Sequence, residues 1–156
     1  MMQPWIVRYV TFPLHQLKTR RRSLWWHREL LQSQWWSPER LGLWQEDRLR
    51  RLLDQAARNV PFYRERFASH GVDRQARSVW AAWSRVPLLS KAMVREQFDR
   101  LQATDRPRAA YTARTSGSTG LPVTWRIDRQ AEDVHHAVRL RAHGWWGIRL
   151  GDRQVW

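Results

Sequence analysis

The chain has 156 residues, 28 Lys+Arg against 14 Asp+Glu for a formal net charge of +14, and no cysteine. That length fits one domain or a piece of a larger one, and the absent thiols exclude a disulfide scaffold, a thiolate metal site and a cysteine nucleophile. With 42% hydrophobic and 12% aromatic residues it is too apolar for a disordered basic tail. No apolar run approaches the roughly 18 residues of a membrane-spanning helix. Met1 to Leu14 carries Arg8 in its middle and lacks a small-residue cleavage pattern, which reads against a signal peptide and for a cytoplasmic location.

The first 28 residues hold Arg8, Lys18, Arg20, Arg21, Arg22 and Arg28 and no acid, after which acids and bases alternate. Interspersed charge of that kind marks solvated helix faces. Residues 1–36 therefore form a basic, tryptophan-rich segment ahead of a second region, 37–156. Leu24, Trp25, Leu30 and Leu31 recur near helical spacing within residues 14 to 35. Ser37-Pro38 is a strong helix start, a hydroxyl N-cap followed by proline at the first helical position. From there Leu41, Trp44, Leu49, Leu52, Leu53, Ala56 and Val60 form an apolar stripe. Pro61 ends that helix or begins the next, and Gly71 reads as a C-cap. A short helix follows around Ser78 to Trp83, and Ser90 caps another from Lys91 to about Leu101.

The texture changes after Pro107. Ala109 to Arg114 and Val123 to Ile127 read as strands, and Asp128 caps a helix to about His143 with Gly144 at its end. Gln154-Val155-Trp156 reads as the start of a further strand. The fold class is α/β, or α+β within this stretch, with a helical N-terminal region leading into the first strands of a sheet.

Between the two strands lies Thr115-Ser116-Gly117-Ser118-Thr119-Gly120-Leu121-Pro122. Glycines let successive N–H groups approach an anion, and the Ser and Thr hydroxyls follow phosphate oxygens. The spacing is neither that of the Walker loop nor that of the serine-hydrolase elbow. An ordinary hairpin connection also favours Ser and Gly, but eight such residues between strands favour phosphate binding.

This loop resembles the phosphate-binding signature of the adenylate-forming superfamily. The stretches Ala56-Ala57-Arg58-Asn59-Val60-Pro61-Phe62-Tyr63-Arg64, Val86-Pro87-Leu88-Leu89-Ser90-Lys91 and Arg114 to Gly120 resemble, in that order, the N-terminal part of phenylacetate–CoA ligase-like proteins. Arg139-Leu140-Arg141, Gly147-Ile148-Arg149 and Gly151-Asp152-Arg153 continue the likeness, which covers about residues 35 to 156. Some relatives are encoded with capsule and exopolysaccharide biosynthesis genes. The resemblance implies an ATP-dependent acid–CoA ligase: a carboxylate and ATP give an acyl-adenylate and pyrophosphate with Mg²⁺, and coenzyme A then displaces AMP. It assigns ATP-phosphate binding to Thr115, Ser116, Gly117, Ser118, Thr119 and Gly120, and no catalytic or metal-ligating residue to this stretch. The partners it implies are nucleotide, a small carboxylic acid, and the remainder of the protein or a complementary chain; alone, the stretch is expected to be inactive. One departure is Val123 directly after Pro122, where the superfamily signature usually carries lysine.

A different class of function is a non-enzymatic basic module using residues 18–28 on an anionic membrane surface or nucleic acid. No nucleic-acid motif accompanies that charge, so nucleic acid is disfavoured and peripheral membrane contact stays open. Glu132 and His135 have a di-iron-like spacing without the other ligands; Glu132 with His136 reads as an i, i+4 helix pair. The tryptophan pairs are expected in a core or under the remainder of a larger fold.

Overall fold

The computed structural model describes residues 3–105, 109–116 and 120–152. It is a mixed helix-and-strand chain with a two-stranded sheet. The helices are α1 (Pro4–Ile6), α2 (Phe12–Thr19), α3 (Ser23–Ser33), α4 (Pro38–Asn59), α5 (Pro61–Ser69), α6 (Val79–Ser84), α7 (Lys91–Glu96) and α8 (Arg129–Trp145). The strands are β1 (Ala109–Arg114) and β2 (Thr124–Asp128). Contacts divide the chain into two units: one runs up to Trp36 and resumes at Asp128, and the other is Ser37–Ile127. Gln154 to Trp156 lie outside the described residues.

In the first unit α1 and α2 are joined by a π-helical turn, Val7–Thr11, closed by the Phe12 N–H donating to the Val7 carbonyl. The cause is local. Pro13 has no N–H to offer and its ring crowds the carbonyl one turn back, so the wider turn accommodates it. Arg20 ends α2 in the left-handed conformation, φ 54°, although it is neither glycine nor asparagine. Gln16 compensates: its Oε1 accepts the Ser23 N–H at 3.1 Å and the Ser23 hydroxyl at 2.8 Å, fixing the turn into α3. Helix α3 then packs along α8. Residues 150–152 support the first helix: Arg8 donates to the Leu150 carbonyl at 3.0 Å and to Asp152 Oδ1 at 3.1 Å. Gly151 sits at φ +90°, and a Cβ there would lie 2.5 Å from the Pro4 carbonyl oxygen, a contact no side chain can make.

The Ser37–Ile127 unit starts as the sequence predicts. Ser37 Oγ accepts the Arg40 N–H at 3.3 Å with Pro38 at the first helical position. Leu53 and Ala57 of α4 are buried with Phe67, Val72, Val79 and Ala82, and Leu49 and Ala56 pack against them. Leu52 and Trp44, counted in the apolar stripe, are exposed instead. Arg50 donates to the Arg74 and Ala76 carbonyls, and Arg74 pairs with Asp54 at 2.8 Å, tying the segment after α5 to α4. Gly71, at φ +60°, ends the α5 segment. Ser78 and Ser90 cap α6 and α7 through the Ala81 and Met93 N–H groups.

Strand β2 lies one residue later than the Val123–Ile127 expected, at Thr124–Asp128, and two helix ends differ as well. Helix α7 stops at Glu96, and the chain turns through Gln97 to Leu101 instead of continuing as helix. Helix α8 runs past Gly144 to Trp145, and it is Gly147, at φ +75°, that lets the Ile148 N–H reach back to the His143 carbonyl. No described helix is long and apolar enough to cross a membrane.

Candidate functional site

Strands β1 and β2 pair, and the residues joining them are too few for a parallel crossover, so they form a hairpin. Its far end is closed by one residue used twice. The Thr115 N–H donates to the Val123 carbonyl at 2.9 Å, and the Val123 N–H donates to Thr115 Oγ1 at 3.0 Å. The loop is thereby pinned at Thr115 and Val123. Of the predicted phosphate-binding residues, Thr115, Ser116 and Gly120 are all exposed at this end of the hairpin. Gly117, Ser118 and Thr119 lie outside the described residues. Gly120 has φ +157°, and no described atom comes within 4 Å of the position its Cβ would take. A side chain there meets a backbone conformation that L-residues rarely adopt rather than a crowded wall.

Two arginines not singled out in the sequence stand beside the loop. Arg95, on α7, donates to the Leu121 carbonyl at 3.4 Å. Arg126, on β2, holds its guanidinium 5.7 Å from the centre of the Phe98 ring, within cation–π range. Arg95, Phe98, Pro122 and Thr124 line a hollow of about 280 Å³. The chain of causes is short. Ser90 caps α7, α7 carries Arg95 one turn past Lys91, and the turn after α7 presents Phe98. The Pro-Leu-Leu-Ser-Lys stretch thus builds the helix that brings a cation to the loop. The available signal was Arg95 lying i+4 from Lys91 on the capped helix.

The basic segment 18–28 is not a uniform cationic surface. Arg21 pairs with Glu132 at 2.6 Å and with Asp133 at 2.6 Å, and the second oxygen of Asp133 accepts the Arg22 N–H at 2.9 Å. Asp133 is buried, and these bonds satisfy it. The two carboxylates also hold the Arg21 guanidinium protonated more firmly than usual, against the burial that opposes its charge. Glu132 therefore turns to Arg21 rather than forming the i, i+4 pair with His136. The His136 ring packs on Phe12, centroids 5.6 Å apart. Among the described residues no group of three His, Asp or Glu side chains comes together as a metal site.

The tryptophans are not core residues. None of the described ones is buried, and Trp5, Trp25, Trp35, Trp80, Trp83, Trp145 and Trp146 are exposed. Trp145 uses its indole N–H on Gln34 Oε1 at 3.0 Å, bridging α8 and the end of α3.

Comparison with known proteins finds a distant relation. The chain is 34% identical over 114 residues to a protein of Thermus thermophilus named phenylacetate-coenzyme A ligase. The match takes in 72% of this chain and 26% of that relative, so the chain spans about a quarter of the relative's length. No family model and no solved structure matches.

Proposed function

We propose that this chain is the N-terminal part of an ATP-dependent acid–CoA ligase of the phenylacetate–CoA ligase-like kind, with the Thr115–Gly120 loop handling the ATP phosphates. The reaction would join a carboxylate to the α-phosphate of ATP with loss of pyrophosphate, then transfer the acyl group to coenzyme A. The observation that carries the reading is the pinned hairpin end with Arg95 and Arg126 beside it. The distant relation to a named ligase points the same way.

The residues fit a triphosphate. The hydroxyl of Ser116, with those of Ser118 and Thr119, supplies donors, and the glycines allow close backbone approach. Val123 stands where the superfamily signature has lysine, and its backbone serves the hairpin closure. Positive charge beside the loop comes instead from Arg95 and Arg126. Such donors accelerate the reaction if they bind the departing pyrophosphate more tightly than the ground-state triphosphate. Mg²⁺ would offset phosphate charge; the carboxylates to hold it, like the acyl pocket and the coenzyme A site, belong to the remainder of the ligase in this reading.

The test uses the longer ligase that the reading requires. Thr119→Ala is expected to lower carboxylate-dependent ATP–pyrophosphate exchange by roughly a hundredfold, the usual loss for one transition-state donor. Thioester formation from synthetic acyl-adenylate and coenzyme A should be spared, because pyrophosphate has by then left. Equal loss in both assays makes the loop structural and removes the assignment.

A further inference from the structure

The π-helical turn at Val7–Thr11 does more than accommodate Pro13. An α-helix advances about 100° per residue, so uninterrupted it would set Trp5 and Leu14 on opposite sides, about 180° apart. A π-turn takes one extra residue and sets everything after it back by about 100°. Leu14 then falls within about 80° of Trp5, and Leu17 within about 20°. The exposures agree: Trp5 is 58% exposed, Tyr9 69%, Val10 41%, Leu14 59% and Leu17 75%. The other side of the same helix carries its tertiary contacts, with Arg8 on residues 150 and 152, Phe12 on His136, and Gln16 buried on Ser23. Among the described residues one face is engaged, and the opposite one, apolar and aromatic, is open.

What covers this face is indicated by its chemistry and its flank. The face combines tryptophan and tyrosine with aliphatic residues, the mixture that settles at the boundary between hydrocarbon and headgroups. From Gln3 to Arg28 the chain has no acid. Arg8 and Arg21 are bound to Asp152, Glu132 and Asp133, but among the described residues no carboxylate pairs with the side chains of Lys18, Arg20, Arg22 or Arg28. A second copy docked face to face would offer these cations the same acid-free helix, with no opposite charge to meet them. An anionic surface meets them with opposite charge. We propose that the helix spanning residues 4–19 lies flat in the surface of an anionic bilayer, inserting Trp5, Tyr9, Val10, Leu14 and Leu17 while Lys18, Arg20, Arg22 and Arg28 contact lipid phosphates. This attachment is independent of any ligase activity and differs from a purely electrostatic contact through residues 18–28.

Flotation of the 156-residue protein with vesicles tests it. Wild type should float with phosphatidylcholine–phosphatidylglycerol vesicles and much less with phosphatidylcholine alone. Leu14→Ser/Leu17→Ser should lower the partition coefficient by roughly tenfold or more. Leu88→Ser removes a still more exposed leucine from the other unit and should float like wild type. Lys18→Gln/Arg20→Gln/Arg28→Gln should lose the preference for anionic vesicles but keep the weak neutral binding. The proposal is overturned if wild type stays with the bulk protein, or if the double-leucine variant floats as wild type does. It is also overturned if the face proves covered by protein. A dimer that Leu14→Ser/Leu17→Ser dissociates, without vesicle binding, assigns the face to a second copy. Strong amide protection of residues 5–17 in a longer protein free of lipid assigns it to the rest of that protein.

Discussion

Leu53, Phe67, Val72, Val79 and Ala82 hold the Ser37–Ile127 unit together, whereas the described residues of the other unit bury Gln16, Ser23 and Asp133 along with the hydrophobic Ala137. The first is a conventional apolar cluster, non-directional and roughly proportional to the area it hides. The second is a set of directional bonds: Arg21 and the Arg22 N–H on Asp133, Arg21 on Glu132, and Gln16 on Ser23. Two helical units of one chain can thus be specified by different forces. The apolar one should respond to lost volume, and the polar one to lost partners and to protons.

Phe67→Ala should have the largest effect. Phe67 is buried between α4 and the segments that follow it, and truncation should cost about 3–5 kcal/mol, enough to unfold a marginal unit. Urea denaturation gives the magnitude, and amide exchange should show protection vanishing from α4 to α6. Equal loss from α3 and α8 would break the comparison. Asp133→Ala comes next. It leaves the Arg21 guanidinium short of one partner and the Arg22 N–H without its acceptor, for a loss of about 1.5–3 kcal/mol. Here exchange should rise first at α3 and α8, and Asp133→Asn, which keeps an acceptor, should lose less.

The smallest effect is that of acid. Burial first, then the neighbouring Arg141, pushes the His27 imidazole below its ordinary value of 6.5. Burial, then Arg139 and Arg21, does the same to His136, with Asp133 and Glu132 opposing. Both rings therefore resist protonation in the folded chain more than in the unfolded one. Their stability contribution is complete above 6.5 and declines as the pH falls below it. Denaturation midpoints followed at α8 between neutral and mildly acidic pH should fall accordingly, and His27→Gln/His136→Gln should flatten the slope. An unchanged slope would remove the two histidines from the account.

Much of the apolar unit was legible because its signals are local. Ser37-Pro38 and Ser90 each announce a helix start through their own side chain, and each caps as expected. The stripe along α4 identified Leu53, but spacing cannot tell Leu53 from its exposed neighbour Leu52, because packing against α5 and α6 decides which faces inward. The polar unit was far less legible. Nothing near Arg21 predicts a carboxylate 112 positions away, and nothing around Arg20 predicts a left-handed residue. The hairpin and the ends of its loop followed from alternation and composition, while Arg95 and Arg126 came beside the loop through packing. The open face of residues 5–17 was hidden for another reason. An α-helical wheel scatters those side chains, and only the π-turn gathers them.

The hydrogen bond from Arg8 to the Leu150 carbonyl links residues 142 positions apart. During synthesis the first helix emerges long before the residues that hold it exist. At translation rates of about 5–20 residues per second, that interval is roughly 7–30 s. For that time Phe12 and Val7 lack their native contacts, and apolar side chains stand uncovered on both sides of the helix, on one of them beside Arg8 and Gln16. A nascent chain in this condition is open to capture by a holding chaperone or by a nearby bilayer, and arrival of Gly151 closes one side only. The order in which these two segments are made therefore favours the helix reaching a surface before its own tertiary contacts form.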